Sequence, residues 1–225
     1  FENQPNITIK DNTSQTLDWH KLENEVAFTA NRSSYFLEEK VNVNFHWKDA
    51  SANILSNEYL INQKTKLPRT HFRNSTTLSK LIANTSIGIT NNTEFTRLPQ
   101  SLAISSEDDL PLFPSNRVQQ DVLFNDGFSN TFFMINHKLR HQNIDLKVGA
   151  EWIWQDIESD LAPMTVTENH FANDLSWNTR RFYAEPSHKL NYKQWTLTSS
   201  ASANYMNTDY SATKDEYFYI NPRFR

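Results

Sequence analysis

Apolar and polar residues alternate with a period of two along most of this chain, and the alternation runs longest between Gly127 and Ile157. Ile144, Leu146, Val148, Ala150, Trp152 and Trp154 fall on one parity, and Asp145, Lys147, Gly149, Glu151 and Gln155 on the other, with Ile153 the one apolar residue out of place. Successive strand residues point to opposite faces, so such a run offers one side to an apolar medium and the other to water. The preceding run answers with Phe133, Ile135 and Leu139 on one parity, broken by His137, and Arg140, His141 and Gln142 form the turn. The pair is predicted to be a hairpin. Its strands exceed the roughly five or six residues usual in soluble sheets and reach the roughly nine to eleven that a tilted membrane-spanning strand needs.

The same pattern predicts further strands. One runs from Leu17 through Leu22, Val26, Phe28 and Ala30, and a short one is expected at 7–10. The next begins at Tyr35 and sets Val41, Val43, Phe45 and Trp47 against Asn42, Asn44, His46 and Lys48. A turn is predicted at 48–51, followed by a brief run with Ala52, Ile54 and Leu55. Later strands are expected over 69–80 and 82–97, in a run ending near Leu190, over 195–205 with Leu197 on its apolar side, and from Tyr217 onward. The run ending at Leu190 holds Pro186 and shifts its apolar parity at Arg180 and Arg181, which calls for a bulge or an edge position. Polar segments at 56–68, 98–120, 158–173 and 207–215 are expected loops, alternating with short turns near Asp49, Leu81, His141 and Asn191. The short link at 31–34 falls where a long loop is due. A meander inserted from one side of a membrane has such alternation. The expected fold is all-β, an antiparallel up-and-down meander of about ten long strands forming part of a transmembrane β-barrel.

Composition changes this picture little. The chain has 225 residues and a mean hydropathy of -0.69, with no apolar run near the roughly 20 residues of a membrane helix. Only alternate residues of a barrel strand face lipid, so a polar average is compatible with one. The net charge of -4 and the lack of a basic block argue against a nucleic-acid partner. Cysteine is absent, which removes disulfides, thiolate metal sites and a Cys nucleophile. With three glycines the turns must rest on Asn, Asp, Ser and Lys. The start at Phe1, without a Met, a basic segment or an apolar segment, fits a mature protein or an internal fragment.

Candidate chemistry is sparse. The seven histidines form no close ligand pattern, and the Asp108–Asp109 doublet reads as a solvated loop. Neither a nucleophile elbow nor a G-x-S-x-G stretch occurs, so no catalytic residue, metal site or cofactor is assigned and the chain is read as a non-enzyme. Trp177, Arg180 and Arg181 lie near a long loop and suit either a ligand contact or a solvated rim.

Several phrases resemble the barrel of TonB-dependent outer-membrane receptors of the Bacteroidota type: the strand from Tyr35 to Lys48, INQK from Ile61, KLP from Lys66, LPQSL from Leu98 and INPR from Ile220. The resemblance implies an outer-membrane transporter for a nutrient such as a metal chelate, an oligosaccharide or a peptide. It implies a partial barrel over 1–225, the plug domain and the remaining strands being absent. Its implied partners are outer-membrane lipid, the plug of the same full-length chain and, through the missing N-terminal part, a TonB-type energy-coupling protein. In this reading Val41, Val43, Phe45, Trp47, Ile144, Leu146, Val148, Trp152, Trp154 and Leu197 face lipid. Asn42, Asn44, His46, Lys48, Asp145, Lys147, Glu151 and Gln155 face the lumen, and Trp152 and Trp154 form an interfacial pair at the extracellular end. The rival expectation is a soluble all-β carbohydrate-binding module, which requires two packed sheets with those apolar residues in a shared core.

Overall fold

A computed structural model describes residues 12–56, 59–106, 116–163, 171–210 and 213–224. Ten antiparallel strands make one sheet: β1 Asn12–Asn31, β2 Tyr35–Ser56, β3 Tyr59–Lys66, β4 Arg69–Ile82, β5 Thr85–Ser106, β6 Arg117–Lys138, β7 Gln142–Pro163, β8 Phe171–Tyr192, β9 Trp195–Tyr210 and β10 Thr213–Phe224. Neighbours in sequence are neighbours in space, as in an up-and-down meander. The strand expected at 7–10 and the Asp108–Asp109 doublet lie outside the described residues.

Strands β3 and β4 share a single place in the sheet. The first pairs with the far half of β2 (Asp49↔Lys66) and the second with its near half (His46↔Arg69), and both continue one register against β5 as well. They are two segments of one long strand interrupted at Leu67–Pro68. The Leu67 N–H still reaches the Lys48 carbonyl at 2.8 Å, so the break comes at Pro68, which has no N–H to give. Ten segments therefore occupy nine positions.

The structure corrects several readings of the sequence; the loops expected at 158–173 and 207–215 shrink to 164–170 and 211–212. The turn expected at 48–51 does not exist, because β2 runs unbroken to Ser56. The loop expected at 56–68 is instead mostly β3. The loop expected at 98–120 shrinks, since β5 continues through Pro99 to Ser106 and β6 starts at Arg117. With these corrections the anomaly at 31–34 disappears. The links at 32–34, 83–84, 139–141 and 193–194 all lie at one end of the sheet and all are short, while those at 57–58, 107–116, 164–170 and 211–212 lie at the other end and range from two to ten residues. Backbone bonds tie adjacent short turns together: Leu81 N–H to Ser34 O, Lys138 N–H to Asn84 O and Asn191 N–H to His141 O, at 2.8–2.9 Å.

Pro186 sits inside an interior strand, paired with β7 on one side and β9 on the other, so the edge position is not used. No residue is inserted either. The pairing with β9 omits Glu185 and Pro186 and resumes at Ser187↔Ser200 in the same register. The missing proline donor thus costs a local gap in the ladder and no bulge.

Candidate functional site

Following Cα partners from strand to strand sorts every residue of the sheet onto one of two faces. The row through Val148 reads Ala30, Leu37, Leu78, Ile89, Phe133, Val148, Ala184, Ala203 and Ile220, apolar from edge to edge. On this first face lie Val41, Val43, Phe45, Trp47, Ile144, Leu146, Val148, Trp152, Trp154 and Leu197. On the second lie Asn42, Asn44, His46, Lys48, Asp145, Lys147, Glu151 and Gln155. The two groups expected from the sequence are thereby each gathered onto a continuous surface spanning several strands.

The first face is uncovered. Val148, Trp152 and Trp47 are each 45% exposed and Leu197 is 54% exposed, with no second sheet against them among the described residues. Its aromatic pairs stack along the strand: Phe45 on Trp47 at 5.9 Å, and Trp152 against Trp154 at 4.6 Å between centroids. The latter pair sits midway along β7 and not at its end. Trp154 lies across Gly127, the partner residue on β6, where a Cβ would collide with the indole. On β4–β6 the apolar surface is interrupted by Asn74, Thr76, Asn91, Thr93, Ser129 and Thr131, which bond among themselves: Asn91 donates to Thr131 at 2.7 Å, Thr93 to Asn91 at 3.1 Å and Asn74 to Thr76 at 3.3 Å, leaving Asn74 Oδ1 without a partner.

Beyond Asp156 toward the long-loop end the same face turns charged, with Lys64, Lys66, Arg97 and Arg117 among its carboxylates. Asp18 pairs across strands with Asp49, Asp121 with Asp160, and Glu158 with Asp174. Like charges placed opposite each other repel, so this part of the face needs water around it. The second face does the reverse there, carrying Leu98, Leu102, Ile104, Phe124, Ile157 and Leu161. The amphipathicity of the sheet therefore inverts partway along the strands.

Toward the short-turn end the second face is a polar network centred on Tyr183, which sequence reasoning did not single out. Tyr183 is 3% exposed, lies over Gly149, and donates its O–H to Asn130 Oδ1 at 2.9 Å. Lys147 Nζ stands 4.5 Å from the Phe132 ring centroid and 5.0 Å from that of Tyr183, and Arg181 Cζ is 4.8 Å from the Tyr183 ring. The cations are in turn held by carboxylates, Lys147 by Glu185 at 3.6 Å and Arg181 by Glu151 at 3.5 Å. Nearby, Asn136 donates to Asp145 and Gln155 to Asp126. Farther along this face Asn44 Oδ1 and His46 Nε2 are shielded from solvent without a hydrogen-bond partner. Tyr183 shares the polar parity of its strand with Arg181, Glu185, Ser187 and Lys189, and with Trp177 farther along.

Other expected groupings separate. Arg180 and Arg181 point to opposite faces, Arg180 beside Trp152 and Arg181 beside Glu151, so they do not make one ligand clamp. Trp177 shares the second face with Tyr210, ring edge to ring at 5.9 Å. His137 bonds Thr85 at 2.8 Å and His71 bonds Thr96 at 3.0 Å, and no group of three or more metal-ligating side chains gathers among the described residues.

No protein-family model matches the sequence, and no curated protein matches it. Among solved structures the chain resembles the ferric yersiniabactin uptake receptor FyuA from Yersinia pestis, with 10% identity over 94% of this chain and 40% of that one and a TM-score of 0.38. It resembles FpvA of P. aeruginosa in complex with pyoverdine, with 8% identity over 94% and 38% and a TM-score of 0.49. It also resembles the outer-membrane protease OmpT of Escherichia coli, with 12% identity over 95% and 92% and a TM-score of 0.27. The chain spans about two fifths of the length of the two receptors, and the likeness is a distant one.

Proposed function

We propose that this chain is part of the barrel wall of an outer-membrane TonB-dependent transporter that takes up a scarce nutrient. The observation that carries the proposal is a single ten-strand sheet that, over the short-turn part of its strands, has one largely apolar, uncovered face and one polar, internally bonded face. A soluble sandwich needs a second sheet over Val148, Trp152 and Leu197, and the described residues supply none. A bilayer covers such a face without one. The short turns then lie on the periplasmic side and the longer links outside the cell.

In this reading the ten apolar residues of the first face hold the wall in lipid. Asn42, Asn44, His46, Lys48, Asp145, Lys147, Glu151 and Gln155 line the lumen and meet the plug. The outer edges of β1 and β10 have no strand beside them among the described residues. Backbone groups at membrane depth must be paired, so residues 1–225 serve as one domain of a larger barrel whose other strands close it. The plug of the same full-length chain and a TonB-type coupling protein are its functional partners, and the wall does no chemistry of its own. The sequence phrases at Tyr35–Lys48 and Leu98–Leu102 point to this family in particular.

The test is extraction of the full-length protein from outer membranes. Retention through high-salt and alkaline carbonate washes, with release only by detergent, is the expected result. Release by salt alone would overturn the proposal.

A further inference from the structure

On the first face β4, β5 and β6 repeat one order of side chains. From the long-loop end toward the short turns, β4 carries Phe72, Asn74, Thr76 and Leu78, and β5 carries Phe95, Thr93, Asn91 and Ile89. On β6 the order is Gly127 beneath the Trp154 indole, then Ser129, Thr131 and Phe133. The six polar residues thus form an island two rows deep and three strands wide, with apolar rows above and below it on the same strands. Its borders across the sheet are Val41 and Glu39 on β2 and Trp152 and Ala150 on β7. The bonds inside the island leave capacity unused. Thr76 and Thr131 each accept a bond from an asparagine and give none, and Asn74 Oδ1 is shielded from solvent without a partner.

Hydrocarbon gives such groups nothing to bond with, and polar side chains at membrane depth face protein or water. We infer that this island is a contact surface inside the membrane, and that it is covered by the same island of a second copy of this chain. The inference rests on the barrel reading above and adds to it a partner and the surface that meets it. Asparagine amides and threonine and serine hydroxyls both give and accept hydrogen bonds, so the surface is complementary to itself, as a two-fold contact requires. No charge lies within the island, so two copies meet without repulsion at its centre, and Glu39 stands only at the border. The short side chains let the two backbones approach while the surrounding Phe72, Phe95, Leu78, Ile89 and Phe133 pack around them. At ~4.8 Å between strands and ~6.8 Å between rows of one face, four rows over the five strands β2 and β4–β7 span roughly 650 Å² per copy, or roughly 1,300 Å² for the pair, which is enough for a specific interface.

The test uses the full-length protein in outer membranes, with one cysteine placed in a chain otherwise free of cysteine and oxidised by copper phenanthroline. Asn91→Cys, Thr93→Cys, Ser129→Cys and Thr131→Cys are compared with Ala203→Cys, which lies on the same face three strands beyond β6. Disulfide-linked dimers are expected from at least one island position, several-fold more than from Ala203→Cys. Asn91→Leu combined with Thr131→Val is expected to lower the dimer fraction of the detergent-extracted protein several-fold by light scattering, with its unfolding midpoint unchanged. Thr76→Val with Ser129→Ala takes its place if that variant fails to fold. Protein that resists carbonate washes yet gives no dimer by either measurement, or links as readily through Ala203→Cys, overturns this inference and leaves the barrel reading standing. Linkage to a chain of different mass overturns the second copy as occupant. Release from the membrane by salt alone overturns both readings.

Discussion

Tyr183 lies across Gly149, so close that a Cβ added to the glycine would come within 2.5 Å of the phenol Cζ and Oη and 2.8 Å of Phe132 Cβ. The glycine is what lets the ring fold back over β7 and reach Asn130. Gly149→Ala is expected to destabilise the folded barrel by about 1–3 kcal/mol, as overpacking does. Denaturant unfolding of the full-length protein in vesicles checks this, and Gly88→Ala, where the nearest atoms stand at 3.3 Å, should cost less.

Arg181 and Glu151 form a partly shielded pair, with Glu151 16% exposed at its side chain. Removing the cation leaves a carboxylate in a confined place, so Arg181→Ala should lower stability by about 1–3 kcal/mol. Lys214→Ala, which breaks an exposed pair with Glu216, should change it by less than about 1 kcal/mol. Comparable losses from both variants in the same unfolding assay would show that the second face is open to water throughout.

Ala83 and Lys193 adopt φ of 51° and 53° in the two-residue turns 83–84 and 193–194. Left-handed backbone is strained for residues with a side chain, by roughly 1–2 kcal/mol. Ala83→Gly and Lys193→Gly are each expected to raise stability by up to about 1 kcal/mol after the entropy of the unfolded glycine is counted. The shift in midpoint of the unfolding curve measures it.

On the proposed barrel reading, Val148→Arg places a cation against lipid and should cost about 2–4 kcal/mol in bilayer-folded protein. Asp121→Arg, on the same face at an exposed position of the charged region, should change stability by less than about 1 kcal/mol. Equal costs for the two would contradict the division of this face.

The strands were legible in the sequence wherever one parity stayed apolar, as at Val41–Trp47 and Ile144–Trp154, and the residues of each expected parity share one face of the sheet. What was misread shares one cause. At Lys48–Ser51 the apolar parity passes from Phe45 and Trp47 to Ala50, Ala52 and Ile54 as β2 crosses the inversion. A change of phase with unbroken backbone resembles a turn when only periodicity is read. The same exchange hid the far parts of β5 and β6 and the last residues of β7, and Pro99 added to the disguise in β5. Tyr183 escaped notice because its role depends on Gly149 and Asn130 in other strands, which no local pattern connects.

The interruption at Leu67–Pro68 preserves register on both sides, so it acts as a joint between two staves cut from one plank. A single residue inserted there would have to be absorbed as a bulge, or else every side chain of β4 would exchange faces, sending Phe72 and Leu78 to the polar second face and Arg73 to the first. Two inserted residues could loop out without that exchange. Variation in length at this joint should therefore come in pairs.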